Sequence, residues 1–231
     1  MPSSTYAARR GELETYFDRT AAEAWMRLTS TAPVGRIRAT VRAGRDEMRR
    51  TLLSCLPADL TGRRLLDAGC GTGALALEAA RRGAHVTAID LSSRLVSLAA
   101  ERAAGDYGAG HVDFRTGDMQ DPALGEFDHV VAMDSLIHYR APDAVAVLEG
   151  LAARTRHSML VTFAPRTPLL AAMHAIGQLF PRCNRSPAIE PVGEAWLTRL
   201  VASRLPGWQC GRTQRVTAGF YISQALELRR V

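Results

Sequence analysis

Residues 65–74 read LLDAGCGTGA: an apolar, strand-like run ends here, a helix-like run begins, and Gly69, Gly71 and Gly73 lie two apart between them. Glycines let a backbone turn tightly and approach a ligand closely at the N-terminus of the following helix, where amide N–H groups and the helix dipole converge. Two cofactors fit this geometry. Read as G-x-G-x-x-A through Ala74, the loop matches a dinucleotide fingerprint, with Asp90 about 20 residues further on to hold a ribose. Read as D-x-G-x-G-x-G from Asp67 to Gly73, it accounts for more of the residues.

Working outward, RRLLDAG (63–69) is a short strand and GTGALALEAARR (71–82) a helix closed by Gly83, with Arg81 and Arg82 in its last turn, where cations favour the dipole. AHVTAID (84–90) is the next strand, and Ser92 or Ser93 caps the helix RLVSLAAERAA (94–104). HVDFRTGD (111–118), FDHVVAM (127–133) and SMLVTFAP (158–165) supply three more strands, with a helix around 142–154. Such alternation specifies a parallel sheet covered on both faces. GWQCGRTQRVT (207–217) and FYISQALEL (220–228) are separated only by Ala218 and Gly219, so they form an antiparallel hairpin at the sheet edge.

Upstream, residues 8–56 read as mostly helical: Leu13, Tyr16, Phe17, Ala21, Ala24 and Leu28 share a face until Pro33 and Gly35 interrupt, and a second helix stops before Pro57. After the fifth strand the alternation breaks. Leu169, Met173, Ile176 and Phe180 recur at helical spacing, then a Pro- and Arg-rich loop runs to Pro191. Its place after a strand's carboxyl end, where open α/β sheets bind ligands, suits a cap. The expected organisation is a single domain over 1–231: an N-terminal helical lid (1–60), a core (63–165 and 192–231) and a substrate-covering cap (166–191).

With 47% apolar residues the chain can bury one sizeable core. It holds no run of roughly 18 apolar residues that would span a bilayer and no signal-type segment near residue 1, so a cytoplasmic protein is expected. Cys55, Cys70, Cys183 and Cys210 form no C-x-x-C pair, which argues for reduced thiols and against structural zinc. The net charge is +6 and every cation is arginine, spread in runs no longer than two; no phosphate-tracking stripe is visible.

The second reading of the loop resembles motif I of class I S-adenosylmethionine-dependent methyltransferases. That resemblance implies a Rossmann-like fold with a seven-stranded, mostly parallel sheet and a closing antiparallel hairpin. It also implies S-adenosylmethionine as cofactor, S-adenosylhomocysteine as product, Asp90 on the ribose hydroxyls, and Asp118 beside the adenine with Met119 packing nearby. Leu91 and Asp134 complete the implied cofactor set with Asp67 and the three glycines. Adenine- and cytosine-directed enzymes usually carry an Asp/Asn-Pro-Pro-aromatic or Pro-Cys signature where this chain reads MDSLIHY (133–139); its absence argues against a nucleic-acid substrate.

A more specific likeness extends over nearly the whole chain. YFD (16–18) followed by Trp25, VRAG (41–44), LIHY (136–139), FAPRT (163–167) and GQLFPR (177–182) resemble the magnesium-protoporphyrin IX O-methyltransferases of chlorophyll and bacteriochlorophyll biosynthesis. Photosynthetic relatives often have histidine where this chain has Arg45, and tyrosine where it has Thr29. The resemblance implies methyl transfer to one propionate of Mg-protoporphyrin IX, with the metal belonging to the substrate and no metal site in the protein. It implies His138 as a catalytic residue and Arg42 on the methionyl carboxylate; Tyr16 is the second catalytic candidate, on the expectation that the N-terminal helix folds over the cofactor as a lid. Arg166, Arg182, Arg185 and Met173 of the cap suit a flat apolar macrocycle with anionic propionates. Pigment biosynthesis also brings the porphyrin-binding subunit of magnesium chelatase and peripheral contact with an inner or photosynthetic membrane into view as partners.

A propionate has a pKa near ~4.3 and is already ionised at neutral pH, so strong general-base catalysis is unnecessary. His138 is therefore expected to act in neutral form, orienting a carboxylate or taking its proton when burial has raised its pKa. Rival readings are an O-methyltransferase for another hydrophobic molecule such as a quinone precursor, a non-catalytic cofactor-binding protein, and an NAD-dependent oxidoreductase.

Overall fold

The computed structural model describes residues 3–20, 22–30, 33–103, 105, 107–166 and 189–231. Its strands are β1 (Arg64–Ala68), β2 (His85–Asp90), β3 (His111–Thr116), β4 (Phe127–Ala132), β5 (Thr155–Phe163), β6 (Trp208–Ala218) and β7 (Tyr221–Arg230). The helices are α1 (Ser4–Thr15), α2 (Ala22–Leu28), α3 (Arg36–Ser54), α4 (Ala74–Arg81), α5 (Ser93–Arg102), α6 (Ala141–Ala152) and α7 (Glu194–Arg204). One seven-stranded sheet runs β3-β2-β1-β4-β5-β7-β6. The first five strands are mutually parallel, and β7 is antiparallel to both β5 and β6. This is the Rossmann-like arrangement expected.

Alternation along each central strand builds two cores. Leu66, Val130 and Met159 face α6 and α7, whereas their neighbours Leu65, Val131 and Leu160 face α3 and α4. Covering both faces explains why these strands read as continuous apolar runs. Strand order reverses between β1, which continues to β2, and β4, which continues to β5, so a crevice opens beyond their carboxyl ends.

The antiparallel hairpin closes the sheet edge as expected, with its second strand inserted between β5 and β6 and β6 outermost. β7 has strand neighbours on both sides and buries Ser223 to Leu228, including Gln224 and Glu227. The Glu227 carboxylate is held by Arg212 at 3.2 Å and Arg229 at 2.9 Å.

The N-terminal helical run departs from continuity, because Tyr16–Thr20 forms a widened π-helical turn. Asp18 supplies the reason. Its carboxylate accepts hydrogen bonds from the Arg94 amide and the Ser92 and Ser93 hydroxyls at the start of α5, at 3.1–3.2 Å. A carboxylate at a helix N-terminus is favoured, and those donors hold its pKa below the usual range. Ser92 caps α5, accepting from the Leu95 amide.

Candidate active site

A cavity of about 520 Å³ occupies the crevice, within the ~300–1,000 Å³ range of small-molecule sites. Its floor is the glycine loop. Gly69, at φ +87°, lies where a Cβ would come within 2.5 Å of Ser135 Cβ, so only glycine lets the two loops meet. Gly71 and the Ser92 amide donate to the two Asp90 oxygens at 2.8 and 2.9 Å, which fixes that acid across the loop. Burial raises its pKa against these two donors. Gly73 is the α4 N-cap at φ +78° and does not line the cavity; a Cβ there would meet the Phe114 ring at 2.8 Å.

Asp67 is the penultimate residue of β1, 2% exposed, and its Oδ2 has no hydrogen-bond partner among the described residues. Burial, then the neighbouring Asp90 charge, pushes its carboxyl up to about 7. A buried, unpaired carboxylate oxygen lining a cavity is suited to receiving a cationic ligand group. Leu91 and Met119 form apolar wall.

The opposite wall comes from the loop after β4. Asp134 adopts φ +54°, the only left-handed non-glycine residue among those described. Its carboxylate is bound by Arg45 at 2.6 Å, by the Tyr221 hydroxyl at 3.1 Å, and by Ser223 and Thr162 at 3.3 Å, while its amide donates to Thr162. The 3-10 turn Leu136–His138 follows and presents His138, 9% exposed, to the cavity. The Arg9 guanidinium donates to the His138 carbonyl at 2.9 Å, and the Phe17 ring lies 5.8 Å from the imidazole.

The N-terminal helices close the side. Leu13, Phe17, Trp25 and Leu28 line the cavity. Tyr16 does not; it packs edge-on against Phe17 at 5.1 Å and burial raises its pKa. Asp118 is likewise outside the lining, taken by the Tyr6 hydroxyl at 2.7 Å and Arg10 at 3.0 Å from α1. Arg42 lines the cavity with Nε and one terminal nitrogen on the Leu28 and Arg27 carbonyls.

Arg166 is exposed, and its amide donates to Val192 at 3.2 Å. Pro165 pairs with Val192, and the Glu190 amide donates to Ile137, so the described residues on either side of 167–188 meet beside the His138 turn. Met173, Arg182 and Arg185 lie outside the described residues.

Two family models match the chain: the magnesium-protoporphyrin IX methyltransferase C-terminus over residues 132–230, and a methyltransferase domain over 65–158. A magnesium-protoporphyrin O-methyltransferase of Rhodobacter capsulatus is 51% identical over 230 residues, covering 99% of this chain and 100% of that one. The chain belongs to the magnesium-protoporphyrin O-methyltransferase family. The crystal structure of magnesium protoporphyrin IX methyltransferase from Synechocystis with bound S-adenosylhomocysteine superimposes with TM-score 0.82 at 29% identity, covering 96% of this chain and 100% of that one. A ubiquinone biosynthesis O-methyltransferase of Xanthomonas oryzae is 37% identical, but over 54% of either chain.

The fold thus gathers Arg42, Asp67, Gly69, Gly71, Asp90, Leu91, Met119, Asp134 and His138 around one cavity. Sequence reading missed Arg45, Asp46, Arg49 and Ser135. The first three fall with Arg42 at helical spacing on one α3 face, a signal that was present but indistinguishable from a solvated charged face. Ser135 gave no signal of its own.

Proposed function

We propose that this protein is a carboxyl O-methyltransferase that esterifies one propionate of Mg-protoporphyrin IX to the monomethyl ester in (bacterio)chlorophyll biosynthesis. The observation that carries the reading is the full-length likeness to the Rhodobacter capsulatus enzyme.

S-adenosylmethionine, when bound, supplies an activated sulfonium methyl. The residues present fit it. Asp67 offers its unpaired buried carboxylate oxygen to the ammonium group, Asp90 takes the ribose hydroxyls, and Leu91 and Met119 flank the base. The glycine loop admits the ligand without side-chain interference at Gly71, where nothing lies within 4 Å of a Cβ.

His138 orients the propionate in neutral form. A charged imidazolium would draw electron density from the attacking oxygen, whereas an ionised propionate needs no base. Leu13, Phe17 and Trp25 of the N-terminal helical segment, with Met133 from the loop after β4, exclude water from the nucleophile, so that segment acts as a lid over the donor. Tyr16 acts through that lid by buttressing Phe17. The cap residues Met173, Arg166, Arg182 and Arg185 cover the macrocycle and meet its second propionate. Hand-over of the poorly soluble substrate from the magnesium chelatase and contact with a membrane surface belong to the same reading. No helix among the described residues is long and apolar enough to cross a membrane.

The test is transfer of labelled methyl to Mg-protoporphyrin IX, to metal-free protoporphyrin and to a quinone precursor side by side. Monomethyl ester from the magnesium porphyrin is expected. Inactivity on both porphyrins, with S-adenosylhomocysteine still bound, overturns the substrate assignment.

A further inference from the structure

We propose that Arg45 and Ser135 form a carboxylate-binding subsite beside the glycine loop, which takes either the methionyl carboxylate of the donor or a propionate of the acceptor. It rests on the methyltransferase reading above.

The α3 face turned to the cavity carries Arg42, Arg45, Asp46 and Arg49. Two of its arginines are engaged. Arg42 binds carbonyls at the end of α2, and Arg49 is held between Asp46 at 2.8 Å and Glu78 at 2.5 Å. Arg45 is placed differently. Only one terminal nitrogen reaches Asp134, leaving Nε and the other terminal nitrogen without a partner among the described residues. Asp134 has its own donors in Tyr221, Ser223 and Thr162, so its charge does not depend on the guanidinium alone. Trp25 stacks on the guanidinium, 4.6 Å from the ring centroid, fixing its plane. A held guanidinium with two adjacent donors free matches a carboxylate in geometry and charge.

Ser135, next in the chain to Asp134, adds the second observation. Its hydroxyl is buried, makes no hydrogen bond among the described residues, and belongs to the cavity wall packed over Gly69. A buried hydroxyl left unpaired carries a desolvation cost that an anionic acceptor would remove.

Calorimetry on the full-length protein and its Arg45→Gln and Ser135→Ala variants uses two probe pairs. S-adenosylhomocysteine is set against 5′-methylthioadenosine, which lacks the amino-acid end, and Mg-protoporphyrin IX against its dimethyl ester. Each variant is expected to weaken one carboxylate-bearing probe by about 5- to 10-fold or more while its carboxylate-free counterpart stays within about twofold. Loss confined to S-adenosylhomocysteine assigns the subsite to the donor; loss confined to the free porphyrin acid assigns it to the acceptor. Equal effects on both members of each pair, or no effect on any probe, overturn the proposal. Ser135→Ala removes a hydroxyl that makes no hydrogen bond among the described residues, so it tests the subsite even if Arg45→Gln disturbs folding. Binding is read without turnover, so this result is separate from whether Mg-protoporphyrin IX is methylated.

Discussion

Asp67 Oδ2 is a carboxylate oxygen buried without a hydrogen-bond partner among the described residues, an arrangement that costs stability. Its folded pKa, pushed up to about 7 from 3.8, means the native state binds this proton more tightly than the unfolded chain. Stability contributed by the proton is therefore lost as pH rises from 3.8 to about 7. Asp67→Asn should raise the melting temperature at about pH 8, by the equivalent of up to a few kcal/mol. The same variant should lose most affinity for S-adenosylhomocysteine, and in the native protein that affinity should fall about tenfold per pH unit below about 7. Calorimetry across that range checks both, and a flat affinity profile in the native protein would remove Asp67 from the ammonium site. His138→Ala is expected to lower kcat on the order of 10²-fold with saturating porphyrin while leaving S-adenosylhomocysteine affinity near normal; near-normal turnover would refute its orienting role. Both residues were legible in the sequence, one from the glycine motif and the other from LIHY. Ser135 was not, because nothing in a serine's local context says that its hydroxyl will be buried unpaired.

At the scale of elements, α3 joins sheet and site. Gly44 is buried against β7, and a Cβ there would come within 2.5 Å of the Tyr221 ring, whose hydroxyl binds Asp134. Gly44→Ala should therefore cost roughly 1–3 kcal/mol through overpacking and lower the melting temperature by about 2–4 °C per kcal/mol, measured by scanning calorimetry. An unchanged transition would mean that Tyr221 yields freely. α1 is fastened at several points: Tyr6 stacks on Tyr139 at 4.9 Å and bonds Asp118, and Ser3 and Thr5 bond Asp143. Helical periodicity revealed that these segments were helices. It could not show that Asp18 would pull the chain into a π turn, or that Asp118 would be taken by α1, because both depend on contacts between residues at least 74 positions apart.

For the whole molecule, donor binding in this cavity is expected to be linked to folding, because the lining is drawn from β1, β2, the loop after β4 and three N-terminal helices together. S-adenosylhomocysteine at about 100 times its Kd should add ~2.7 kcal/mol of stability. For a chain of this length that is a rise of roughly 5–10 °C in the melting temperature. NAD at the same concentration should give none, and an equal shift with NAD would reopen the dinucleotide reading. Sequence by itself determined the strand–helix alternation, the glycine loop between β1 and α4, the acids Asp67 and Asp90 on β1 and β2, and the antiparallel pair that closes the sheet. These follow from local periodicity, glycine's conformational freedom and the brevity of the Ala218–Gly219 link. Only the tertiary structure decided that β7 lies inside β6, that Tyr16 backs Phe17 instead of lining the cavity, and that Arg45 uses a single terminal nitrogen among the described residues, on Asp134. Each of these depends on which distant groups compete for the same side chain, and that competition is settled only once the sheet has brought them together.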